Sequence, residues 1–143
     1  MIRWASQGDI PAIIEHGRKF HALGAFDGPY DGDHFGQVAE GLLKENDALV
    51  LRSDQGSAAM MNVPMLLTGE MSAQELWWYD PGGEGLDLLS AMEHEAAGAG
   101  AEYLVVSCMA KLKGATVSRL LKMKGFESMD LSHIKKIGAR DGG

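Results

Sequence analysis

Gly82-Gly83-Glu84-Gly85 stand between the aromatic run Trp77-Trp78-Tyr79 and a stretch from Leu86 onward that has the apolar spacing of a helix. Glycines at such a joint let backbone amides point at one spot. A helix N-terminus adds about half a positive charge, so the chemistry suited to the place is holding a phosphate. Nearby acids oppose it: Asp80 precedes the loop, and Glu84 and Asp87 fall in the first helical turn. Two like charges about 6 Å apart at an effective dielectric near 20 repel by roughly 3 kcal/mol. The helix-end attraction is worth only about 0.3–1 kcal/mol. The loop is therefore either a phosphate cradle or a plain glycine-rich helix start, depending on where those acids point.

Other chemistries have less to work with. The five histidines show no ligand spacing, and Met92 to Gly98 (MEHEAAG) lacks the second histidine of a zinc helix, so no metal is expected. The single cysteine, Cys108, excludes zinc fingers, CxxC redox motifs and an intrachain disulfide. It fits a reducing compartment, the cytoplasm. No apolar run approaches the roughly 20 residues that span a bilayer. The start, MIRWASQGD, has no signal-peptide core, so no membrane partner is expected. A net charge of −7 argues against nucleic acid. Residues 53–110 hold nine acids and no Lys or Arg, whereas residues 111–143 hold eight of the 13 basic residues. A cationic surface is thus expected from the C-terminal quarter.

These residues must be positioned by one domain, since 143 residues suffice for a single core. Met1 to Trp4 reads as a strand. Ser6 to Asp9 can cap a helix carrying Ile10, Ile13, Ile14, Gly17, Phe20 and His21. Gly24 to Asp33 reads as a loop, and Phe35, Val38, Leu42 and Leu43 as a second helix. Strands are expected over Ala48–Arg52, over Ser57–Leu67 with Pro64 disturbing it, and over Gln74–Tyr79. A helix over Gly83–Gly98, a buried strand over Glu102–Met109 and a helix over Ala115–Lys124, stopped by Gly125, follow. Ser128–Ile137 reads as a last strand and 138–143 as a flexible tail. The order β-α-α-β-β-β-α-β-α-β predicts an α/β fold with a mixed sheet. Exposed edge strands in such a sheet would allow a homodimer.

That order, with its motifs, resembles the GNAT family of acetyl-CoA-dependent N-acetyltransferases along almost the whole chain. IRWASQGDIPAIIEHGRKFH resembles the opening strand, Asp-Ile-Pro and first helix of the family. AQELWWYDP resembles its fourth strand, where a carboxylate lies six residues before the proline of Asp-Pro; here that is Glu75 before Pro81. GEGLDLL resembles the Gly-x-Gly-x-x-Leu-Leu start of the acetyl-CoA helix, and SRLLKMKGF the late helix ending in Gly-Phe. The resemblance implies a single GNAT-like domain, with helices on both faces of a mixed central sheet. It also implies acetyl transfer from acetyl-CoA to a small-molecule or protein amine.

Residue by residue, the resemblance implies Glu75 as the base that takes the amine proton. The period of two then places Trp77 on the same sheet face. It implies acetyl-CoA contacts at Trp78, Tyr79, Gly82, Gly83, Glu84, Gly85 and Leu86. Lys122, with Lys111, Lys113, Arg119 and Lys124, lies where the adenosine 3′-phosphate could be met. Phe26, Tyr30 and Trp77 would line the acceptor site, and Asp27, Asp31 and Asp33 would favour a cationic amine. Three departures weigh against catalysis. Asp80 stands where the family has Arg or Gln, and the loop is shorter than usual. Leu121, four residues before Gly125, stands where the family often has a proton-donating Tyr. Ser107, Cys108, Ser118 and Tyr79 are the remaining donor candidates. The alternative reading is a GNAT-fold protein without catalysis, serving as a binding or structural module.

Overall fold

The structure, a computed structural model, describes residues 1–138. Its elements are β1 (Arg3–Trp4), a 3-10 turn (Gln7–Asp9), α1 (Ile10–His21), α2 (Gly32–Leu43), β2 (Ala48–Arg52), β3 (Ser57–Pro64), β4 (Met71–Tyr79), α3 (Gly85–Gly98), β5 (Tyr103–Val105) and α4 (Gly114–Met123). The five strands form one sheet in chain order. β1 to β4 run antiparallel, while β4 and β5 run parallel.

Alternation along the strands splits the core in two. Leu49 and Leu51 of β2 point to one face and meet Leu88, Met92 and Ala96 of α3, which stack at i, i+4 and i+8. Val50, Ala59 and Trp77 point to the other face and meet Ile13 of α1 and Ala39 and Leu42 of α2. The helices therefore cover both faces, as expected. Asp9 fastens the start of α1 to the sheet. Arg3 donates two bonds to its carboxylate at 2.7 and 2.6 Å, Arg52 one at 2.7 Å and the Ser6 amide one at 2.8 Å. Asp9 is buried, and Arg3 above all holds its carboxyl far below the usual carboxylate range.

Four expectations are corrected. Trp77 and Glu75 do not share a face. Ala59 pairs with Trp77 and the next residue, Met60, pairs with Glu75, so Leu76 is an inserted residue, a β-bulge. Ala59 and Met60 point to opposite faces, and their partners follow them. The third strand ends at Pro64, and β4 begins at Met71, pairing back onto that proline. The buried strand over Glu102–Met109 is only Tyr103–Val105.

The last strand is absent. Ser128–Ile137 forms no strand, and Leu131, Ile134 and Ile137 are almost wholly exposed. The physical reason lies in its pattern: alternation holds from Met129 to Leu131, then breaks at Ile134 and Ile137, so no single face stays apolar. The tail expected over 138–143 lies, beyond Gly138, outside the described residues.

Candidate active site

β4 and β5 pair at three positions only: Ser72 with Tyr103, Ala73 with Leu104 and Gln74 with Val105. Beyond Gln74, β4 runs on to Tyr79 with no strand partner on that side among the described residues, and the Ser107 amide reaches only the Glu75 side chain, so the two segments splay apart as a cleft. Glu75 is the first residue past the point of parting, and the bulge at Leu76 adjoins it. Its Oε1 accepts one hydrogen bond across the cleft, from the Ser107 amide at 3.2 Å. No cation faces it. Burial pushes its carboxyl up to about 7, and the Ser107 amide offsets only part of that. The neighbouring Cys108 thiol is pushed up as well, by burial and then by the Glu75 charge. A carboxyl poised near neutrality in a cleft can take or give a proton at physiological pH.

The glycine loop follows β4. Gly83 has φ +95, the left-handed region that favours glycine. Asp80 turns inward: Oδ1 accepts the amides of Gly82 at 2.6 Å and of Glu84 at 3.3 Å. Oδ2 accepts the Ser53 hydroxyl, whose oxygen in turn accepts the Gly56 amide at 2.9 Å. The β2–β3 turn and the loop are thus tied by one carboxylate. Contact between them is close, for a Cβ on Gly56 would lie 2.1 Å from the Tyr79 carbonyl oxygen. Glu84 turns away from the loop: Oε1 accepts the Asp54 amide at 3.2 Å and Oε2 meets the Met1 ammonium at 2.8 Å. Trp78 donates its indole N–H to the Gly85 carbonyl at 2.8 Å, fixing the loop to β4, and Leu86 is exposed on the first turn of α3.

Sequence reasoning placed Asp80 as a missing cation and as an acid opposing a phosphate, not as the partner of the loop amides, and did not single out Ser53. The available signal was Asp-Pro-Gly-Gly, in which an Asp side chain commonly accepts the amide two residues on.

Of the residues expected at the acceptor end, Tyr30 and Trp77 meet through the Phe35 ring, while Phe26 packs with Phe20. Tyr79 stacks on Phe20 at 5.3 Å, and Phe26, exposed on the α1–α2 loop, meets the Phe20 edge at 5.7 Å. Tyr30 donates to the Ile14 carbonyl at 2.6 Å and so pins that loop to α1. Trp77 is buried against Phe35, and its indole N–H donates to Ser57 Oγ at 3.0 Å. The buried His16 approaches the same Ser57 oxygen through Nδ1 at 3.2 Å, and burial lowers its basicity. Trp77 thus lies in the core, on the face opposite Glu75.

Lys111, Lys113, Arg119, Lys122 and Lys124 are all exposed on and around α4, while Leu121 is buried beneath it. Two hollows of about 340 and 300 Å³ lie at the opposite sheet edge, around Trp4 and Ala48–Leu49, and neither includes Glu75. Among the described residues, no three His, Cys, Asp or Glu side chains converge as a metal site. Among the same residues, no helix is long and apolar enough to cross a membrane.

No family model and no curated protein matches the chain. Solved structures do. A transcriptional regulator from Bacillus halodurans C-125 superposes with a TM-score of 0.70 at 13% identity, over 96% of this chain and 99% of that one. A putative acetyltransferase from Agrobacterium tumefaciens str. C58 gives 0.66 at 17% identity, with the same coverage. Ribosomal-protein-alanine N-acetyltransferase from Brucella melitensis biovar Abortus 2308 gives 0.63 at 17%, again over 96% and 99%. At these identities the likeness fixes the fold, and the fold is the one these acetyltransferases share.

Proposed function

We propose that this chain, which has the GNAT fold, is an acetyl-CoA-dependent N-acetyltransferase acting on an amine. One observation carries the reading: Glu75, alone at the head of the β4–β5 cleft, has its carboxyl pushed up to about 7. An ammonium must lose a proton before it can attack, and the Glu75 carboxylate takes it, directly or through water. The amine nitrogen then bonds to the thioester carbonyl carbon. A β4 backbone N–H in the unpaired stretch beyond Gln74 steadies the developing oxyanion. As the tetrahedral intermediate collapses, the C–S bond breaks, and the departing thiolate takes up the second proton that the nitrogen sheds in becoming an amide. The Cys108 thiol, kept protonated by burial and by Glu75, stands beside that path.

The test is amine-dependent thiol release from acetyl-CoA at millimolar concentration. The acceptors offered are polyamines, aminosugars and a peptide bearing a free N-terminus. Turnover with one of these amines, rising as pH passes through about 7, is the expected result. No thiol release with any of them sinks the proposal. Asp80 filling the loop amides and Leu121 at the proton-donor position favour a second reading, a non-catalytic binding module. That reading requires acetyl-CoA to go unconsumed.

A further inference from the structure

We infer that Asp80 is a built-in anion that competes with the donor's pyrophosphate for the loop amides. The site then selects its thioester by the pantetheine arm, and the ADP half contributes little. This rests on the acyltransferase reading and specifies the donor half that the site reads.

Three observations converge. The Asp80 carboxylate accepts the amides of Gly82 and Glu84, which a pyrophosphate oxygen would otherwise take, and the Ser53 hydroxyl holds it there. It is seated from two sides, and an incoming phosphate must displace a charge of its own sign. The Met1 ammonium beside the loop is already taken by Glu84 and Asp54, and residues 53–110, which include β3, β4 and α3, hold no Lys or Arg. The basic residues nearest in sequence, on and around α4, are exposed. By contrast, the thioester end of the cleft is intact. β4 and β5 part at Gln74, and at that point Glu75 holds a single backbone amide, that of Ser107. A pantetheine arm is uncharged and amide-rich, and can pair with open strand edges as a peptide does. Such a cleft suits it without any help from the loop.

The test compares CoA with pantetheine as ligands by calorimetry, and acetyl-CoA with S-acetyl-pantetheine as donors, in the wild type and in Asp80→Asn. The neutral amide preserves the side chain's shape and removes its charge. Wild-type dissociation constants for CoA and pantetheine are expected to agree within about threefold. In Asp80→Asn the preference for CoA rises about tenfold, since one like charge beside the pyrophosphate is gone. Wild-type CoA binding more than about thirtyfold tighter than pantetheine overturns the inference and leaves the acetyltransferase reading standing. Binding of neither thiol overturns both. Equal binding of the two without turnover upholds the donor preference and removes the enzyme.

Discussion

Two carboxylates drawn out of solvent at opposite edges of the sheet show how differently the same group can be treated. Asp9 is buried and receives five hydrogen bonds, three from arginines and two from Ser6, so its charge is fully compensated. Glu75 receives one, from a backbone amide, and its carboxyl rises to about 7. A compensated carboxylate holds elements together. An uncompensated one is expensive for the fold, and that cost marks it as a candidate for chemistry.

The comparison can be broken at either end. Asp9→Ala leaves Arg3 and Arg52 without their shared partner at the start of α1. It is expected to cost about 3–5 kcal/mol in chemical denaturation, as for other broken buried pairs. A loss below about 1 kcal/mol would reduce the cluster to surface ion pairing. Glu75→Gln is expected to lower turnover about 100-fold and to flatten the rise of activity through pH 7. Unchanged turnover removes Glu75 from the chemistry.

The two groups also titrate with opposite sign. Asp9, with its folded pKa depressed, contributes stability above its unfolded pKa, and that stability is lost as pH falls through and below about 3.8. Glu75, raised from 4.5 to about 7, favours the folded state only while protonated. Its contribution is lost as pH rises through that window. Glu75→Gln should therefore be more stable than the wild type at pH 8 by about 1–3 kcal/mol, and no different at pH 4. Equal melting temperatures at both pH values would show that Glu75 is well solvated. A third carboxylate provides the scale for an ordinary role. Asp31 caps α2 by accepting the His34 amide at 2.9 Å, and Asp31→Ala should cost about 1 kcal/mol with no effect on turnover.

Much of the frame was legible because it is local. Helical spacing located α1, α2 and α3 to within a few residues, and Gly125 stopped α4 close to where it ends. The bulge was not legible, because Glu75-Leu76-Trp77 reads as plain alternation. An inserted residue exists only relative to the strand it pairs with, and that register is a property of β3 as much as of β4. The shortness of β5 escaped for the same reason: SCM continues its apolar run, but β4 has already turned away. At the candidate site, the family resemblance singles out Glu75 by its position before Pro81. Its loneliness was not legible, since it depends on which charges fail to come near. The acids around the glycine loop raised the right question, and only their directions answered it: Glu84 outward, Asp80 inward.

The contact between Gly56 and Tyr79 sets a limit on how this protein can change. A side chain at 56 would strike the Tyr79 carbonyl, and the Ser53 hydroxyl of the same turn grips Asp80. Two hairpin-scale segments, distant in sequence, thus behave as one inherited part. Inserting residues after Pro81 to enlarge the loop would fail in isolation. A redesign that lengthens it must rebuild Ser53–Gly56 in the same step.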